Sequence, residues 1–232
     1  MSSRPSSGAG PLPDALQIPL LLLPALALLF FLVPQIDLRF SGLFYDAADG
    51  FFLKDLPPVQ FSYAVFRDLP YWLIPILLWL WFASWRWGGR SERPVRRAIV
   101  YLLVVLLLGP GLLVNEVFKN HSGRARPAQV EQFNGDRQFS PAFVISDQCE
   151  RNCSFVSGHA AMGFFFLAFA WALRDRRWLL YGGLIGALVG LGRIAQGAHF
   201  LSDIVFSYGA VLVTAVLCAR LILGHWSPEG GD

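Results

Sequence analysis

Residues 193–203 read R-I-A-Q-G-A-H-F-L-S-D and lie where two strongly apolar runs, at about 177–194 and 200–223, meet. Arg193, His199 and Asp203 therefore stand at the junction of two segments that have little use for charge. Polar groups at a membrane boundary need partners or a task. His199 and Asp203 are four apart. If the second run is helical, they share one face, where the carboxylate can accept the imidazole N–H and fix the tautomer that leaves the other ring nitrogen free to attack. Arg193 offers a planar fork suited to a phosphate. On this segment alone, the alternative is a His and an Asp that merely satisfy each other at a helix end.

The surrounding composition sets the class. The chain has 232 residues, 55% of them hydrophobic and only 15% charged, with a mean hydropathy of +0.49. That is too apolar for a soluble domain of this size and reads as a polytopic membrane protein. A bilayer core takes about 20 helical residues, with a usual range of roughly 17 to 25. Six runs approach that length, at about 16–35, 69–87, 97–118, 157–173, 177–194 and 200–223. The expected fold is all-α, a six-span bundle over 16–224 with two long outer connectors. Residues 1–15 are rich in Ser, Pro and Gly and read as a disordered tail, and 225–232 as a short C-terminal tail. The first run could be a signal peptide. Its single basic flank Arg4, its length and the want of a small-x-small cleavage site favour a retained span.

Orientation follows from Arg density. The short connectors with Arg86, Arg90, Arg93, Arg96, Arg97 and with Arg174, Arg176, Arg177 fall on one side, expected to be cytoplasmic together with both termini. The outer side then holds connectors 36–68 and 119–156. The first mixes Phe40, Phe44, Phe51 and Phe52 with Asp37, Asp46 and Asp49, which suits a segment lying in the interface. The second contains Cys149 and Cys153, a disulfide candidate in an oxidising space. A bridge at that spacing would be strained if the segment were a regular helix. Cys218, deep in the last run, is expected only to pack.

This topology brings three clusters to one membrane face. Lys119–Pro127 reads K-N-H-S-G-R-A-R-P, with Lys119 and Arg126 as anion-site candidates and Arg124 as a possible fourth cation. A basic anchor at headgroup level is the alternative. Ser154–Ala160 reads S-F-V-S-G-H-A, where Ser157 and Gly158 at a helix start leave N–H groups for an anion and His159 stands in the first turn. An N-cap with an incidental His is the alternative there. The third cluster is Arg193, His199 and Asp203.

Together, Lys119 with Arg126-Pro127, Ser157-Gly158-His159, and Arg193 with His199 and Asp203 resemble the three-part signature of the type 2 phosphatidic acid phosphatase superfamily, over about residues 100–205. Val156 stands where Pro is common and Gly192 where Ser is common. The resemblance implies a phosphatase that uses no metal or other cofactor and forms a phosphohistidine. His199 would be the nucleophile, oriented by Asp203, and His159 the acid that protonates the leaving oxygen and then activates water. Lys119, Arg126, Arg193, Ser157 and the Gly158 N–H would hold the phosphoryl oxygens. His121 and His225 have no implied role.

The implied substrate is a membrane lipid phosphate or diphosphate reached from the bilayer, in the inner membrane of a bacterium with the site facing the periplasm. The family's substrates include undecaprenyl diphosphate, phosphatidylglycerol phosphate, phosphatidic acid and lipid A, and the connector C-E-R-N-C-S-F-V-S-G-H looks slightly more similar to bacterial lipid A phosphatases than to the others. No nucleic acid and no obligate protein partner are expected. A phosphotransferase using the same phosphohistidine, or a non-enzymatic lipid-anion binding or transport protein, are the competing readings. The second leaves His159, His199 and Asp203 without work. Six spans argue against the soluble vanadium haloperoxidases that share the motifs.

Overall fold

In the computed structural model, which describes residues 14–89 and 92–229, apolar helices dominate. The chain begins with α1 (Asp14–Leu32) and α2 (Gln35–Gly42), whose axes turn by 84° at the Val33–Pro34 break. A two-residue hairpin follows, β1 (Tyr45–Asp46) paired antiparallel with β2 (Gly50–Phe51). The remaining helices are α3 (Pro57–Arg86), α4 (Arg93–His121), α5 (Gly158–Leu173), α6 (Arg177–Ala195) and α7 (Leu201–Leu223). Of the expected N-terminal tail, residues 1–13 lie outside the described residues, while Asp14 and Ala15 belong to α1. Arg90 also lies outside them, as do 230–232 of the C-terminal tail.

Four of these helices, α3, α4, α6 and α7, are long and apolar enough to cross a membrane, and α1 with α2 makes a fifth if the bent pair is one span. The chain is thus a multi-pass membrane protein. The run expected as the fourth span is α5, whose 16 residues rise only about 24 Å at 1.5 Å each. Its surroundings differ too. Ala160, Ala161, Phe165, Leu167, Ala168, Ala170 and Trp171 are all buried, because α3, α4, α6 and α7 pack around it. By contrast α3 has Leu77 as its one fully buried residue, and Tyr71, Trp72, Trp79 and Trp85 are presented outward as on a lipid-facing surface.

Two segments depart from the expected boundaries. The connector expected over 36–68 is largely ordered: it holds α2, the hairpin and the first three turns of α3, which starts at Pro57 rather than near residue 69. Pro57 and Pro58 occupy the first turn, where a missing N–H costs nothing. Residues 57–68 include Gln60, Ser62, Arg67 and Asp68, so an apolar count starts the helix too late. In α4 the turns widen to i→i+5 spacing over Leu107–Phe118, around Pro110, which cannot donate to the carbonyl four residues back.

Helices α5 and α6 approach closely through glycine. A Cβ on Gly182 would lie 2.3 Å from the Leu167 nitrogen, and one on Gly186 would lie 2.0 Å from the Phe164 ring. Such contact between backbones is how membrane helices gain packing without a hydrophobic driving force. It fixes α6, and so Arg193 at its end, against the helix that carries His159. Outside the bundle a second small core forms from Phe51, Ala125, Val130, Phe133 and Phe200, tying the hairpin and the 122–157 connector over the same end.

Candidate active site

The site forms where α4 ends, α5 begins, α6 ends and α7 begins, all at one end of the bundle. Residues 196–200 connect α6 to α7 in a tight turn, with the Ala198 N–H donating to the Arg193 carbonyl. The turn is also bonded to the first cluster, since the Ala128 N–H donates to the Gly197 carbonyl at 2.9 Å.

His199 is 1% exposed. Its Nδ1 lies 2.8 Å from the Ser154 carbonyl oxygen. An oxygen acceptor requires that Nδ1 carry the proton, which leaves Nε2 with its lone pair. That Nε2 is buried and finds no hydrogen-bond partner among the described residues. Asp203 Oδ2 is farther from Nδ1, at 3.4 Å. The shorter contact, to the Ser154 carbonyl, sets the tautomer, and the Asp203 carboxylate expected to orient the ring lies beside the same nitrogen as its ion-pair partner. It also fixes the framework, because Oδ2 accepts from Ser154 Oγ at 2.5 Å and from the Phe200 N–H at 2.8 Å. Burial is the main influence on the imidazole and holds its pKa down at about 4, with Asp203 opposing and Arg193 and Lys119 adding to the depression.

Ser157 caps α5, its Oγ accepting from the Ala160 N–H at 3.3 Å. Ser207 Oγ holds its carbonyl at 2.9 Å. The helix itself leaves the first-turn N–H groups of Gly158 and His159 without partners. Gly158 has no room for a side chain, since a Cβ there would lie 2.6 Å from Asn115 Oδ1 and 3.5 Å from Lys119 Nζ. Lysine and helix N-terminus thus converge. His159 Nε2 is buried and finds no hydrogen-bond partner among the described residues. Lys119, Arg126, Arg193 and His199 all lie near enough to act on His159 electrostatically.

Lys119 and Arg193 are 9% and 8% exposed. Lys119 Nζ donates to Asn152 Oδ1 at 2.7 Å, and Arg126 Nη2 donates to the Asn152 carbonyl at 2.8 Å. Arg193 is held by Gln196 through Nη1, while its Nε is buried with no hydrogen-bond partner among the described residues. Three cations, two imidazole nitrogens and a helix N-terminus therefore face one space. Such a set can bind a tetrahedral dianion and attack it from the His199 side.

Arg124 is placed differently from the expectation. It is 1% exposed, and its donors are taken by Ser140 O, Ser202 Oγ, Asp203 Oδ1 and Asp37 Oδ2 at 2.6–2.9 Å. Its guanidinium lies 4.3 Å from the Phe200 ring centroid. Flanked by two buried carboxylates, it offsets the charge of Asp203 and Asp37, and four of its five N–H donors are committed to protein acceptors. Cys149 and Cys153 are bonded, and the segment between them is irregular, so the helical strain foreseen for that spacing does not arise. Cys218 is buried and free.

Several contributors were not legible as site residues. Ser154 holds both His199 and Asp203. Asp37, from α2, accepts from the Ser202 N–H and hydroxyl. Tyr63, near the start of α3, stacks on His159 with ring centroids 4.7 Å apart and planes 20° apart, and Arg193 lies 4.7 Å from the same ring centroid. The only signals for them were an acidic residue amid many Phe and a Tyr four residues before Arg67.

Comparison with known proteins agrees with this assembly. Residues 97–226 match the family model described as PAP2 superfamily. The chain is 41% identical over 186 residues to a lipid A 4′-phosphatase of Francisella tularensis subsp. novicida (strain U112), covering 78% of this chain and 83% of that protein. It is 34% identical over 212 residues to a lipid A 4′-phosphatase of Rhizobium leguminosarum, covering 84% and 91%. No solved structure matches. Because the matched segment contains all three clusters, and they meet in one site, the chain belongs to the PAP2 superfamily.

Proposed function

We propose that this lipid phosphatase removes the 4′-phosphate of lipid A through a phosphohistidine. The carrying observation is the pair of buried Nε2 atoms on His199 and His159, without hydrogen-bond partners among the described residues, beside Lys119, Arg126 and Arg193. The substrate choice is supported by relatives that are themselves lipid A 4′-phosphatases. In the first step the His199 Nε2 lone pair forms a bond to phosphorus while the bond to the lipid oxygen breaks, and that oxygen takes a proton from His159. In the second, His159 takes a proton from water as the oxygen attacks phosphorus, the P–N bond breaks and His199 regains its lone pair. Lys119, Arg126, Arg193 and the Gly158 N–H, with Ser157 fixing the helix start, offset charge on the phosphoryl oxygens.

The same reading makes α5 a sixth span enclosed by the others and α1 with α2 the first. Both termini and the basic connectors Arg93–Arg97 and Arg174–Arg177 are then cytoplasmic, and the site faces the periplasm. The bridged Cys149 and Cys153 support an oxidising side for the connector that carries them.

The test is phosphate release by the purified full-length protein from a panel of lipid A, undecaprenyl diphosphate, phosphatidylglycerol phosphate and phosphatidic acid, in excess EDTA. Lipid A should be hydrolysed at its 4′ position without added metal, and His199→Ala should reduce release to background. Preference for another lipid would overturn the substrate, and strict dependence on magnesium the mechanism.

A further inference from the structure

Lys119 and Arg126 are like charges drawn into one partly dehydrated space, where they repel each other and where their long side chains have many alternative rotamers. Both are held by a single residue. Asn152 accepts from Lys119 Nζ through its side-chain oxygen and from Arg126 Nη2 through its carbonyl oxygen. Neutral acceptors order the two cations without cancelling their charge, so the rotamer entropy of a long basic side chain is lost on folding and not when phosphate binds.

Asn152 can face both because its backbone is left-handed, at φ 53°, a region that Asn tolerates better than most residues. It lies inside the five-residue loop closed by the Cys149–Cys153 disulfide. The loop is also bonded to α4, where the Cys153 N–H donates to the Lys119 carbonyl at 3.2 Å. Disulfide, loop and both cations thus form one connected unit.

We infer that Asn152 is a positioning residue that sets Lys119 and Arg126 for the phosphoryl oxygens, and that closure of the Cys149–Cys153 loop is linked through it to phosphate affinity. The inference rests on the reading of this cluster as a phosphate site. It ties that site to the covalent closure of the loop, because a loop without the bridge no longer holds the asparagine in place.

The test uses full-length protein in detergent and inorganic phosphate as the probe. Affinity is read as competitive inhibition of lipid hydrolysis and, independently of turnover, as the phosphate-dependent rise in unfolding temperature. Asn152→Gly keeps the left-handed backbone and the carbonyl but removes the acceptor for Lys119. It should weaken phosphate about ten-fold, the scale of one charge-assisted hydrogen bond. Asn152→Asp places a permanent carboxylate against the cations. It should weaken phosphate further while leaving the phosphate-free unfolding temperature unchanged or higher. The pair Cys149→Ser and Cys153→Ser should match the glycine variant, and adding Asn152→Gly to it should change little more.

Phosphate affinities within two-fold of wild type in both Asn152 variants would overturn the positioning role, whatever happens to their stability. Multiplicative losses from the serine pair and the glycine variant would overturn the link to the disulfide. A wild-type protein that phosphate neither inhibits nor stabilises would instead remove the phosphate-site reading, and this inference with it.

Discussion

Arg124→Met removes the charge between two carboxylates that are themselves wholly buried. Asp37 and Asp203 are both 0% exposed, and Arg124 reaches them at 2.7 Å and 2.6 Å. Methionine fills much of the volume but leaves both carboxylates without their cation, and the Ser140 carbonyl and Ser202 hydroxyl without a donor. Breaking a buried pair in this way costs about 3–5 kcal/mol, a large part of a typical stability of roughly 5–15 kcal/mol. In a chain of this size each kcal/mol moves the unfolding temperature by roughly 2–4 °C, so the expected fall is about 6–20 °C. Thermal unfolding of the purified protein in detergent, followed by tryptophan fluorescence, measures it. Arg124→Lys keeps the charge but lacks the planar fork that spans both acids, and should fall between. Adding Asp37→Asn to the methionine variant removes one orphaned charge and should restore part of the loss. A methionine variant with wild-type unfolding temperature and only weaker phosphate binding would refute this reasoning and return Arg124 to the role of a phosphate cation.

Four further outcomes are expected. His159→Ala should lose about 100-fold to 10,000-fold on lipid substrate but much less on para-nitrophenyl phosphate, whose leaving group needs no proton; equal losses on both would remove His159 as the acid. Tyr63→Phe should stay near wild type, whereas Tyr63→Leu loses the ring against His159 and Arg193, worth roughly 1–3 kcal/mol or about 5-fold to 150-fold in kcat/KM; failure of phenylalanine to rescue would shift the role to the hydroxyl. With its pKa held at about 4, His199 stays neutral as pH falls from 8 to 5, so the loss of kcat/KM from protonating this proposed nucleophile should come only below about pH 5; an acid limb near 6.5 that persists after correction for substrate ionisation and disappears from no His159 variant would contradict burial as the controlling influence. Finally, a cysteine at Gln132 should react with a membrane-impermeant thiol reagent in intact cells while one at Arg176 is protected, and the reverse labelling would invert the proposed orientation.

How much of this was legible depends on the distance over which each interaction acts. Apolar runs, basic connectors and the spacing of Lys119, Arg126, Ser157, Gly158, His159, Arg193, His199 and Asp203 are local patterns, and they were enough to anticipate helices, a membrane protein and three clusters on one face. Boundaries were less secure where a helix carries polar residues, as at the start of α3, or is enclosed by protein and so escapes the length that lipid requires, as in α5. What only the tertiary structure decided was the partner of each polar group. Arg124 and Arg126 are two residues apart in a basic stretch, yet one is buried between Asp37 and Asp203, 87 and 79 residues away, and the other opens onto the site. The tautomer of His199 is set by a carbonyl 45 residues earlier rather than by the acid four residues later. Tyr63 reaches His159 from a helix that no motif marks. A sequence states which groups can donate and accept. Which of them meet depends on how the helices pack, and buried polar groups then take whichever partners that packing brings within reach.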